Sequence, residues 1–156
     1  MAVRRIWMSL LVSVLLWVSC AAPNKQAPPS ADPLQSPEYR ATLQEVQDLN
    51  QRAQGQWQKG ERDAAAQLLK QAQPLVQRLL ESRRPPLEAF EAASDFDQLY
   101  ANMLMANRHF PWARQLFMTD VVRWRNWKPE TEDTVRRRKA AEAGVAACDK
   151  AMGLTN

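Results

Sequence analysis

From residue 38 onward, apolar residues recur at alternating spacings of three and four, the period of a helix with one buried face. Ser36-Pro37-Glu38 reads as a helix start: a hydroxyl cap, proline at the first helical position, then an acid in the first turn. Tyr39, Leu43, Val46, Asn50, Ala53 and Trp57 then fall on one face, and Gly60 breaks the run. A second helix is predicted over about 61–83, with Ala65, Leu68, Leu69, Ala72, Val76 and Leu79 facing inward. Pro74 lies inside it and predicts a kink, or a split after Gln73. Arg84-Pro85-Pro86 forces a break. A third helix follows over about 87–107, burying Phe90, Phe96, Leu99, Met103 and Leu104. Pro111 opens a fourth, with Ala113, Phe117, Val121 and Trp124 as its stripe. Pro129 marks a new start, and the last helix covers about 130–152, with Ala141, Val145, Cys148 and Met152 on one face. Runs of alternating β-branched residues are missing, which argues against a sheet. The pattern predicts an all-α fold of about five helices arranged as antiparallel hairpins.

Before residue 38 the pattern changes. Arg4 and Arg5 precede an apolar run, residues 6–18, interrupted only by Ser9 and Ser13. As a helix this run spans about 20 Å, short of the roughly 30 Å hydrocarbon core, so it reads as a signal peptide and not a permanent span. Leu15-Leu16-Trp17-Val18-Ser19-Cys20 resembles a bacterial lipobox, in which an aliphatic residue stands three before the cysteine and a small one directly before it. Trp17 stands where that pattern prefers leucine, with Leu16 displaced by one. The alternative is ordinary cleavage after Ala22, which Pro23 disfavours. The resemblance implies cleavage before Cys20, a diacylglyceryl thioether on its sulfur and acylation of its new amine. Two or three chains anchor stably where one is marginal. Ala21 is not aspartate, which by the sorting habit of such lipoproteins implies the outer membrane, facing the periplasm. Residues 21–37 hold Pro23, Pro28, Pro29, Pro33 and Pro37 and read as a semi-rigid tether. The division is therefore a signal peptide at 1–19, a lipidated cysteine and tether at 20–37, and one helical domain at 38–156.

Composition and charge refine this picture. The 156-residue chain has a formal charge of +4, but cutting before Cys20 removes Arg4 and Arg5 and leaves 19 basic against 17 acidic residues. That balance gives no reason to expect a nucleic-acid partner. Of the two cysteines, a lipidated Cys20 leaves Cys148 without an intrachain partner, so a disulfide scaffold is excluded.

A short motif repeats. Gly60 is followed by Ala65 and Ala72, with Leu69 between them and Ala53 seven residues upstream. These spacings resemble the tetratricopeptide repeat, a helical hairpin with glycine at the turn and small residues where the helices meet. A second copy lies 48 residues on: Ala101 matches Ala53, Ala113 matches Ala65 and Phe117 matches Leu69. Arg108 replaces the glycine and Asp120 the final alanine. The shift exceeds the family's 34-residue period. The resemblance implies a hairpin array with the last helix as a cap; a plain antiparallel bundle is the alternative.

Candidate chemistry follows from these faces. The repeat alignment places Asn50, Gln54 and Trp57 on a concave side, with Gln98, Asn102 and Met105 as their counterparts. Amides there suit an extended peptide, and Trp57 and Met105 would add apolar contact. The run Arg123-Trp124-Arg125-Asn126-Trp127-Lys128 interleaves cations and aromatics. It suggests a polyanion site at Arg123, Arg125, Trp127 and Lys128 for lipopolysaccharide or a cell-wall polymer. Arg136 to Lys139 read as a solvated helix face, with Glu132 and Asp133 four residues before Arg136 and Arg137. His109 is the only histidine and reads as a turn residue, so no metal site is expected. Asp95 and Asp97, two apart on a helix, face different ways and do not suggest a catalytic pair. No nucleophile elbow, phosphate loop or cofactor motif is present. The expected function is non-catalytic: an envelope lipoprotein that binds a protein partner, with the polyanion binder as the alternative.

Overall fold

The structure, a computed structural model, describes residues 32–154. The signal peptide, Cys20 and most of the tether lie outside the described residues. Asp32 caps a single 3-10 turn, Pro33–Gln35, by accepting from the Leu34 amide at 3.0 Å. The Ser36 hydroxyl then accepts from the Tyr39 amide at 3.3 Å and starts helix α1, Pro37–Gln58. The remaining helices are α2 Arg62–Leu80, α3 Leu87–Ala106, α4 Phe110–Asn126 and α5 Glu132–Ala151. Thr131 and Thr134 form a reciprocal capping box at the start of α5. The chain is all-helical, with no strand among the described residues. None of its described helices is long and apolar enough to cross a membrane.

Pro74 neither ends nor divides α2, which runs unbroken past it. Proline at 74 removes the amide that would bond the Lys70 carbonyl. Both residues are exposed, which puts the break on the solvent side of the helix.

Helices α1, α3 and α5 end in the same way. Gly60, Arg108 and Gly153 have φ of 81°, 62° and 71°. In each case the next amide reaches back five residues: Glu61 to Gln56, His109 to Leu104 and Leu154 to Asp149, at 2.9, 2.8 and 2.9 Å. This is the Schellman closure. Arg108, set against Gly60 in the sequence comparison, adopts the same left-handed backbone without glycine's freedom.

Helices α1 and α2 form one antiparallel hairpin and α3 and α4 a second. Helix α3 lies against both α1 and α2, while α5 packs along α4 and touches α3. Neither α4 nor α5 approaches α1 or α2, so the helices stack serially and do not close on themselves. Ala53, Ala65, Ala72, Ala101 and Ala113 are fully buried. Leu69 and Phe117 fill the bulky slots. One apolar cluster joins α1, α2 and α3; a smaller one joins Ala101, Ala113, Phe117 and Cys148. Phe90 and Leu104, expected in the core, are half-buried.

Candidate functional site

A groove of about 460 Å³ runs between α1 and α3. Gln47, Gln51 and Gln54 form its α1 wall, and Asp95, Gln98 and Asn102 its α3 wall. Each wall is one helix face, because spacings of three and four bring successive side chains to the same side. Gln44 and Gln58 continue the α1 stripe in both directions and are exposed. Asn50 and Leu99, both buried, complete the lining. Asn50 is 7% exposed. Its Nδ2 donates to the Ala92 carbonyl at 2.8 Å and ties α1 to α3. Its Oδ1 is buried without a hydrogen-bond partner. An acceptor left in that state costs about 1–3 kcal/mol.

Four of the six residues expected on this surface meet there: Asn50, Gln54, Gln98 and Asn102. Trp57 and Met105 do not. Trp57 follows the inward stripe of α1, is half-buried against the first cluster, and carries the Arg62 guanidinium over its ring at 5.7 Å. Met105 turns toward α5, where its sulfur lies 3.1 Å from Cys148 Sγ. Both are apolar, and burial against a core available one turn away is worth more than exposure at a groove rim.

The basic-aromatic run does not form one surface. The Arg123 side chain is 7% exposed, donates to Asp97 at 2.9 Å and also bonds Asp120. It is therefore withdrawn from any surface ligand. Lys128 pairs with Glu130 at 3.2 Å. Trp127 is half-buried, edge-on to Phe90 with centroids 5.3 Å apart. Arg125 alone of the cations is exposed and outside the ion pairs found among the described residues.

Behind Arg123 lies a polar network that the sequence reading missed. The indole N–H of buried Trp124 donates to Ser94 Oγ at 3.0 Å, and the Ser94 hydroxyl donates to Asp120 Oδ2 at 2.9 Å. Asp120 is fully buried. Burial pushes its carboxyl up to about 7, and Arg123 only partly offsets this. Asp97 is raised for the same reason, against the same guanidinium. Asp95 points the other way, as its spacing from Asp97 requires, and accepts from Arg137 at 2.6 Å. Arg137 is not part of a solvated face: it also bonds Asp133 at 2.7 Å and lies 5.7 Å over the Trp124 ring. The available sequence signal was the pair Asp120 and Arg123, three apart on a stripe otherwise apolar.

Cys148 is fully buried, and burial raises its thiol above the ordinary range. His109 is exposed at the start of α4. Among the described residues no cluster of His, Cys, Asp or Glu is placed to hold a metal ion. No family model, curated protein or solved structure shows significant similarity to this chain.

Proposed function

We propose that this chain is a lipid-anchored envelope protein whose α1–α3 groove holds an extended segment of a protein partner. The observation that carries this reading is the pair of facing amide rows, Gln47, Gln51 and Gln54 on α1 and Gln98 and Asn102 on α3, with Asp95 and Leu99 beside them. An extended backbone offers one donor and one acceptor per residue, and a primary amide offers both in return. Glutamines three or four residues apart on α1 repeat every 5–6 Å or so, close to the roughly 6.6 Å between alternate residues of an extended chain. The groove carries amides and Asp95 and no free cation, which suits a polypeptide backbone and not a nucleic-acid phosphate. The serial stacking and the repeated alanine contacts support the tetratricopeptide-like reading of the two hairpins.

The anchor is Cys20, acylated after removal of residues 1–19, with the Pro-rich tether holding the domain clear of the outer membrane on its periplasmic side. The role is that of a non-catalytic interaction or assembly module. The test is a cross-linking pull-down from intact cells with the full chain tagged at its C-terminus. A Gln98→Ala, Asn102→Ala variant runs beside it. One dominant protein lost in the variant is expected; a partner indifferent to both substitutions refutes the groove. Palmitate labelling that survives Cys20→Ser refutes the anchor.

A further inference from the structure

Helix α3 has a second open side. No α2 Cα lies within 8 Å of an α4 Cα, and α3 floors the gap between them. Three hollows border this side of α3, and one of them is lined from both α2 and α4. One of about 320 Å³ lies between Leu69 and Gln73 of α2 and Phe96 and Tyr100 of α3. A second, about 360 Å³, shares Tyr100 with the first and lies between it and Trp112, with Leu116 on its α4 wall. The third, about 560 Å³, lies between Leu80 and Phe90 on one side and Val122 and Trp127 on the other. Trp112, Leu116, Thr119 and Val122 share one face of α4 over about three turns, roughly 15 Å. Four large apolar side chains are exposed among the described residues, and three of them line this cleft: Tyr100 at 38%, Trp112 at 70% and Val122 at 50%.

The cleft also has a charge bias. No carboxylate lines any of the three hollows. The charged groups that do are Lys70 and Arg123, the second already held by its two aspartates. Arg125 stands one turn beyond Val122 and is exposed. An apolar trough with helical walls and cationic edges complements a helix with an apolar stripe and acidic flanks. A bilayer surface is flat and cannot reach a floor recessed between two helices. We propose that the α2–α4 cleft docks an amphipathic, acid-flanked helix of a protein partner, at a site separate from the amide groove.

The test uses the full chain in phosphatidylcholine nanodiscs and two labelled 18-residue synthetic peptides. Both carry the same leucine stripe; one has glutamate flanks and the other lysine flanks. Fluorescence anisotropy over empty discs reads binding. The glutamate peptide should bind about fivefold more tightly than its lysine counterpart, and Lys70→Glu should remove that preference. Trp112→Ala with Val122→Asp should weaken it by about tenfold. Both side chains are exposed, so the fold tolerates their loss, and far-UV circular dichroism checks this. Asn102→Ala should leave the affinity unchanged, which separates this site from the groove. Equal binding of both peptides, binding no greater than to empty discs, or indifference to the cleft substitutions overturns the proposal. A dimer that forms with rising concentration and excludes the peptide also overturns it, by giving the cleft to a second copy.

Discussion

Replacing Gly144 with alanine sets two effects of known size against each other at the α4–α5 contact. A glycine within a helix is less favourable than alanine by about 1 kcal/mol, so the substitution alone should stabilise α5. A Cβ at Gly144, however, would stand 2.6 Å from two atoms of the Phe117 ring and 2.7 Å from a third. Carbon atoms in good contact are about 3.5–4.0 Å apart, so the ring or the helix must move by about 1 Å. The ring is 5% exposed and packs with Ala101, Ala113 and Cys148, all fully buried, which leaves it little room. Overpacking of this kind costs about 1–3 kcal/mol. A displacement this large in so tight a site belongs near the upper figure, for a net loss of about 1–2 kcal/mol. Gly55 is the control. A Cβ there meets nothing within 4 Å, and only the gain remains, reduced to about 0.5 kcal/mol near the end of α1. Thermal unfolding of the full chains followed at 222 nm reads both, at about 4 °C per kcal/mol. Gly144→Ala should melt about 4–8 °C below the parent and Gly55→Ala about 2 °C above it. A Gly144→Ala protein as stable as the parent would show that α5 does not rest on Phe117, and the reasoning would fail.

The other predictions probe the buried network and one turn. Ser94→Ala strands the Trp124 indole N–H and one oxygen of Asp120, and should cost about 2–3 kcal/mol in urea denaturation; a loss under 0.5 would contradict the hydrogen bonds. Arg123→Ala leaves two buried carboxylates without their cation and should cost about 3–5 kcal/mol, while Arg125→Ala stays within about 0.5; similar values for the two would place Arg123 at the surface after all. Arg108→Gly relieves a left-handed backbone at the end of α3 and should raise stability by about 1 kcal/mol, with a decrease counting against the turn. For pH, the folded state holds the Asp120 proton more tightly than the unfolded chain, since burial raises its carboxyl from 3.8 to about 7. That contribution to stability is complete below pH 3.8 and is lost as pH rises through about 7. Asp120→Asn should flatten the decline across that window, and parallel stability curves would refute the assignment.

Much of the architecture was legible because it depends on local rules. The inward stripes of α2 and α4 were read residue by residue, since a helix buried on one side repeats its apolar positions every three or four residues. Arg108 takes the same left-handed backbone as Gly60, which was not legible, because arginine gives no sign of such a turn. Of the two outcomes Pro74 allowed, the split after Gln73 is absent, because whether a proline ends a helix depends on the packing around it, and that is a tertiary fact. Within the groove, the amides were legible as a face, but Trp57 and Met105 were not, because the choice between rim and core depends on a neighbouring helix at each end. The network was the hardest part to read. Asp120 looked like a degraded alanine position, and its partners Ser94 and Asp97 lie 26 and 23 residues upstream on another helix.

The network bears on both candidate surfaces because α3 serves each. Asp95, Gln98 and Asn102 give α3 its groove side, Phe96 and Tyr100 its cleft side, and Ser94 and Asp97 its contact with α4. Since α4 does not reach α2, the cleft's width is set by how each of them sits on α3. An apolar set of equal volume would hold the two helices as firmly, because a buried ion pair gains little after its desolvation. It would hold their register less strictly. Slipping α4 by a turn would already disturb the packing of Ala113 and Phe117 against Ala101. The same slip would part Trp124 from Ser94 and leave two carboxylates and a guanidinium buried and unmatched. A fully buried aspartate at the position where the first hairpin has Ala72 therefore ties the α4 wall of the cleft to α3. Arg137, bonded to Asp95 and stacked on Trp124, ties the groove's edge to the same register.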